Sequence, residues 1–94
     1  MAKKGDIRTA TATTSVSVLL GERNNRTCVI LFPPSAGSYT VSDSPAITNG
    51  EGVFMTATSQ AVVLDRATVG DLPAQALFVI ASGTLSFGII EVVE

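Results

Sequence analysis

The sequence contains no histidine and no tryptophan, has a single cysteine, and carries little charge, with Asp, Glu, Lys and Arg making up 15% of its 94 residues. The missing histidine excludes imidazole general-base catalysis, Ser-His-Asp and Cys-His pairs, and the usual zinc sites. With only Cys28 available, no disulfide can close within the chain. Cys28 sits between Thr27 and Val29 in an apolar run and reads as a small buried hydrophobe. One Tyr and four Phe leave few aromatic platforms for a sugar ring. A net charge of −2 supplies no basic field to hold a phosphate backbone, so nucleic acid is not an expected partner. No segment has the length to span a bilayer, and no apolar stretch of signal-peptide length follows the early lysines, so cytoplasmic synthesis without membrane insertion is expected.

The carboxylates do not restore a case for catalysis. Asp43, Glu51, Asp65 and Asp71 fall in separate turns, without calcium-loop spacing and without a tight acidic pair. Gly50-Glu51-Gly52 and Ser82-Gly83 are turn glycines, since neither opens the helix that gives a phosphate cradle its anion affinity. No enzyme activity, cofactor or metal is expected. Arg26, just ahead of an apolar strand, is expected to pair with a nearby carbonyl or acid.

What the chain does contain is strand chemistry: Val, Ile and Thr dominate, and no window holds apolar residues at helical spacing. Residues 7–13 and 16–20 alternate with period 2, and the break at Thr14-Ser15 has the character of a bulge or of a corner between two sheets. The polar run at 21–26 is a turn, and residues 28–32 form an uninterrupted apolar strand, central in its sheet, which Pro33-Pro34 must end. Short strands follow at 39–41, 53–56 and 61–64, with 65–70 leading into a further turn. Residues 75–81 and 84–93, joined by Ser82-Gly83, read as a hairpin. Seven to eight short strands of this kind predict an all-β fold, a small antiparallel β-sandwich or jelly-roll-like barrel. The reading assigns residues 1–6 to a flexible arm and residues 7–94 to a single domain.

Several positions stand out as contact candidates. Leu85, Phe87 and Ile89 share one face of the last strand, and Glu91 on that face marks where it should reach water. Ile90 and Val92 make the opposite face apolar too, so the end of this strand is expected to adhere to a neighbour. Residues 43–52 form a long connection rich in turn formers, with Asp43, Ile47 and Asn49 as candidate contacts. Lys3 and Lys4 in the arm are expected to order on a partner. Ile30 and Phe87 are assigned to the core.

In their order and spacing, Thr-Ala-Thr-Ala-Thr-Thr at 9–14, Arg-Asn-Asn-Arg at 23–26 ahead of an apolar strand, and Ser-Gly-Thr at 82–84 resemble small β-sandwich virion proteins of tailed phages. The resemblance covers roughly residues 8–91, and Phe32-Pro33-Pro34-Ser35 departs from the polar stretch common after the central strand in that group. It implies a structural protein of the virion, above all a capsid decoration (cement) protein on the capsid surface. Its partners would be a major capsid protein or other virion proteins, and its own state a homo-oligomer, a trimer by preference. A receptor- or carbohydrate-binding module of a head fibre or tail, and a tail or connector component, are the alternatives. The size of the chain points the same way, because so short a domain buries only about 60–65% of its unfolded surface and gains from docking.

Overall fold

The computed structural model describes residues 4–48 and 50–94. Eight strands run in order through this length: β1 (Lys4–Ala12), β2 (Ser17–Leu20), β3 (Arg26–Leu31), β4 (Ser38–Ser42), β5 (Val53–Thr56), β6 (Val62–Asp65), β7 (Leu77–Ala81) and β8 (Leu85–Val93). They form two four-stranded antiparallel sheets, β1-β8-β3-β6 and β2-β7-β4-β5. The pairing has a simple rule. First pairs with last, second with seventh, third with sixth and fourth with fifth, as in one long hairpin wrapped around itself, which is the jelly roll.

Two of the corners that carry the chain between sheets pass beside each other. The β1–β2 corner lies at Thr14-Ser15, as the broken alternation there indicates. The β7–β8 corner lies at Ser82-Gly83, where the Ala81 amide donates to the Thr13 carbonyl at 2.8 Å and the Ser82 amide to the Ser38 carbonyl at 2.9 Å. The hairpin expected at 75–93 is therefore not one, since β7 pairs with β2 and β4 while β8 pairs with β1 and β3. Ser-Gly serves a hairpin and an inter-sheet corner equally well. The last strand is also central in its sheet rather than an edge, because β1 and β3 flank it.

The core lies between the sheets and is filled by alternate residues of both. Val29, Leu31, Phe87 and Ile89 come from the first sheet, and Tyr39, Val41, Met55, Leu77 and Val79 from the second. Tyr39 and Phe87 stack across the gap with ring centroids 3.7 Å apart, and the Tyr39 hydroxyl donates to the Phe32 carbonyl at 2.6 Å. Burial pushes the Tyr39 phenol well above its usual pKa. Ile30, expected in this core, lies on the opposite face of β3 from Val29 and Leu31 and is only partly buried. The unbroken apolar run at 28–32 carries no phase of its own, so pairing rather than pattern decides which face turns inward.

One bulge shapes the region discussed below. On β3, Arg26 opposes Val93 and Cys28 opposes Val92, so Thr27 is an extra residue without a counterpart. Counting back by two from Ile30 would place Arg26 outside. The bulge turns it in. Between β6 and β7, where the sequence indicated only a turn, the chain forms α1 (Arg66–Val69) and a short 3-10 turn (Leu72–Ala74). Asp65 caps α1 by accepting from the Thr68 amide at 2.8 Å. The arm assigned to residues 1–6 becomes strand from Lys4 onward, with Lys4, Gly5 and Asp6 opposite Val93, Val92 and Glu91.

Candidate functional site

The β1 sequence Lys-Gly-Asp-Ile-Arg-Thr-Ala-Thr-Ala alternates charged and small residues with apolar or hydroxyl ones, so a strand separates them onto two faces. Ala12 is fully buried, and the face it shares with Ala10, Arg8, Asp6 and Lys4 is the one directed between the sheets. Ile7 therefore points outward and is 80% exposed. Register carries this arrangement across the sheet: Ile7 opposes Ile90, Ile90 opposes Ile30, and Ile30 opposes Val63, which is 49% exposed. A row of four aliphatic side chains thus crosses the whole outer face.

The neighbouring rows continue it. On one side stand Gly5, Val92, Cys28 and Asp65 in successive strands. On the other, Thr9 faces Gly88, and a Cβ on Gly88 would lie 3.7 Å from the Phe32 ring. Of the charged residues in the described parts of these four strands, Asp65 alone stands on this face, and its carboxylate is engaged in capping α1.

The remaining charges of the sheet are turned inward at the opposite surface. Arg26 and Glu91 are each 2% exposed and paired, Nη1 to Oε1, at 3.0 Å. The rest of the Arg26 guanidinium is spent on carbonyls: Nε donates to Pro73, and Nη2 to Gly21 at 2.8 Å and Gln75 at 2.9 Å. Arg23 reaches the same Oε1 at 3.4 Å. Arg8 lies 3.2 Å from Oε2, an ion pair whose geometry falls outside that of a hydrogen bond. Burial by itself would raise the Glu91 pKa, but the Arg26 hydrogen bond and the charges of Arg26, Arg8 and Arg23 outweigh it and hold the carboxyl below its ordinary value. Glu91 is thus locked in the interior and does not mark where its face meets water.

The outer face of the second sheet is treated differently. Val18, 62% exposed, and Phe54 are open there, but Gly50, in the connection after β4, reaches back over its middle. The Gly50 amide donates to Thr40 Oγ1 at 2.7 Å, and Thr40 has no exposed surface. Gly52 permits this, since its φ is +152° and a Cβ would sit 2.6 Å from the Val41 carbonyl oxygen.

The residues singled out from sequence do not converge on one place. Ile90 and Val92 belong to the outer face of the first sheet, partly exposed. Lys4 lies in β1 with the inward-facing charges. Asp43 is exposed in the loop, whereas Ile47 is 9% exposed and buried within its own domain, so it offers no contact surface. Lys3 and Asn49 lie outside the described residues. Ile7, Ile30 and Val63 were missed as a surface because their row appears only after the pairing of four strands distant in sequence.

No protein-family model matches the chain, and no curated protein matches it. Among solved structures it is similar to a protein of the Bacillus endospore appendages, described as a novel family of disulfide-linked pili. The likeness has a TM-score of 0.55 at 13% identity and covers 98% of this chain and 86% of that one. At that identity it is a likeness of fold.

Proposed function

We propose that this chain is a non-catalytic structural subunit that works by packing against other protein in a multi-subunit assembly. The observation that carries this reading is the aliphatic row Ile7–Ile90–Ile30–Val63, laid open on a sheet whose charges are nearly all turned inward. A free domain gains nothing from that polarity, because water is left to cover apolar side chains while ion pairs are desolvated. The Arg26-Glu91 site does not compete as a reaction centre. Its carboxylate is held ionised by three guanidiniums, so it is a poor proton acceptor and a poorer donor.

The fold shared with the endospore pilus protein supports the reading as an example of a jelly roll used for assembly. It also sets a difference. These 94 residues hold one cysteine, and one thiol per copy can join one further copy, so disulfides between these residues cannot chain copies end to end. Any assembly of these residues beyond a pair of copies must therefore rest on other contacts than disulfides. The finer reading, a decoration protein on a phage capsid surface with the major capsid protein as partner, rests on the sequence resemblance and is a special case of the same adhesive role.

Sedimentation velocity and negative-stain electron microscopy over a range of concentrations test the proposal. Species well above the 9.7 kDa of one copy, or capture on a larger particle, are expected. A protein that stays monomeric at the highest soluble concentration and binds no particle refutes it.

A further inference from the structure

We infer that the outer face of the β1-β8-β3-β6 sheet is an interface for a second copy of this chain, packed face to face about a two-fold axis. The inference rests on the assembly reading above and adds which surface adheres and to what. Three features of that face select a second copy.

The first is charge. A symmetric interface sets each patch against itself, so any strong charge on it meets its own kind. This patch holds Ile7, Ile30, Ile90, Val63 and Val92, and Asp65, Arg66 and Glu94 gather at its border beside Cys28 and Val92. No charged side chain stands within the aliphatic row itself. The second feature is a gap in the side-chain layer. A Cβ at Gly5 would meet nothing within 4 Å, which leaves room beside the aliphatic row for a side chain of an opposing sheet, whereas the space over Gly88 is taken by the Phe32 ring.

Area is the third. Strands of nine, nine, six and four residues, spaced about 4.8 Å with a rise of about 3.3 Å per residue, present roughly 450 Å² per copy, or about 900 Å² for the pair. That falls just short of the lower bound of about 1,000 Å² for a specific contact. The association is therefore concentration-dependent, and suited to repetition within an assembly, where several weak contacts act together.

The test uses exposed positions whose substitution leaves the core alone. Ile7→Lys and Val63→Lys are made singly and together, with Val18→Lys on the other sheet as control, and far-UV circular dichroism confirms that each variant folds. By sedimentation, Ile7→Lys and Val63→Lys should each weaken self-association about tenfold or more, while Val18→Lys should leave it unchanged. In a face-to-face pair Ile7 lies over Ile7 or over Val63 of the other copy, depending on the direction of the axis. An equimolar mixture of Ile7→Lys with either Ile7→Glu or Val63→Glu should therefore associate again, which only contact between copies explains. If the double variant associates like the unmodified chain, the interface is elsewhere and the inference fails while the assembly reading stands. If the unmodified chain is monomeric yet binds a larger particle through Ile7 and Val63, a second copy is the wrong occupant and only the inference fails. A monomer that binds nothing overturns both.

Discussion

Replacing Arg26 by methionine removes the guanidinium at the centre of the interior charge cluster while keeping much of its bulk. Glu91 would keep only Arg8 and Arg23, both half-exposed and approaching from the open side. The Pro73, Gly21 and Gln75 carbonyls would each lose a donor. Breaking one partner out of a buried ion pair costs about 3–5 kcal/mol, because the remaining charge is left desolvated. A chain of this length has a total stability of roughly 5–14 kcal/mol, so the loss is a large part of it. With a urea m-value of about 1.5 kcal/mol/M, the midpoint should fall by about 2–3 M. The companion variant Arg26→Met with Glu91→Leu removes both charges, and it should recover much of the loss, since apolar replacements of a buried pair are often neutral. If Arg26→Met shifts the midpoint by less than about 0.5 M, or the double variant is worse than the single one, then Glu91 does not depend on Arg26 and the account of the cluster is wrong.

Acidification probes the same carboxylate. Because its folded pKa lies below the unfolded value of about 4.3, its stabilisation is fully present above roughly pH 5 and is lost as pH falls through the folded pKa; the urea midpoint of Glu91→Gln should lack that acid slope. The two faces of the first sheet are separated by a pair of truncations. Phe87→Ala, which also unstacks Tyr39, should destabilise the isolated domain by about 3–5 kcal/mol, whereas Ile30→Ala should cost about 1 kcal/mol or less, and equal effects in denaturation would show that β3 faces the other way.

Eight strands were legible in the sequence because period-2 alternation and turn formers are local signals, and the corner at Thr14-Ser15 was legible for the same reason. What local signals do not encode is which strands pair. Ser82-Gly83 looked like a hairpin tip, and the decision against it is made by the Ala81 amide bonding to Thr13, a residue most of the chain away. Nor does the end of a sequence imply the edge of a sheet, as β8 shows by lying between β1 and β3. The α1 turn is too short for a helical period to register. Its cap residue Asp65 and the glycine closing it at position 70 were the available traces. Arg26 was read correctly as a residue that pairs with carbonyls and an acid. Its acid could have been found from Glu91, an anomalous charge on the otherwise apolar face of Leu85, Phe87 and Ile89.

The interior charges and the outer aliphatic row are two consequences of one register. Along β1, Arg8 reaches Glu91 while Ile7, its neighbour in sequence, opposes Ile90 on the other side. Sliding β1 by one residue would exchange its faces, moving Ile7 into the space between the sheets and Arg8 out to water. On burial alone that slip is attractive, because it would hide an 80% exposed isoleucine. Ala10 and Ala12 oppose it. They sit opposite Phe87 and Leu85 on the inner face, where the larger Thr9 and Thr11 would otherwise have to fit, and a hydroxyl there would need a partner the core does not provide. The Arg8-Glu91 pair opposes it too, since Glu91 is fixed by Arg26 whether or not β1 moves, and a displaced Arg8 would leave Oε2 without its cation. Small residues at the end of β1 and an ion pair at its middle thus hold Ile7 outward against its own hydrophobicity. That outward isoleucine completes the aliphatic row.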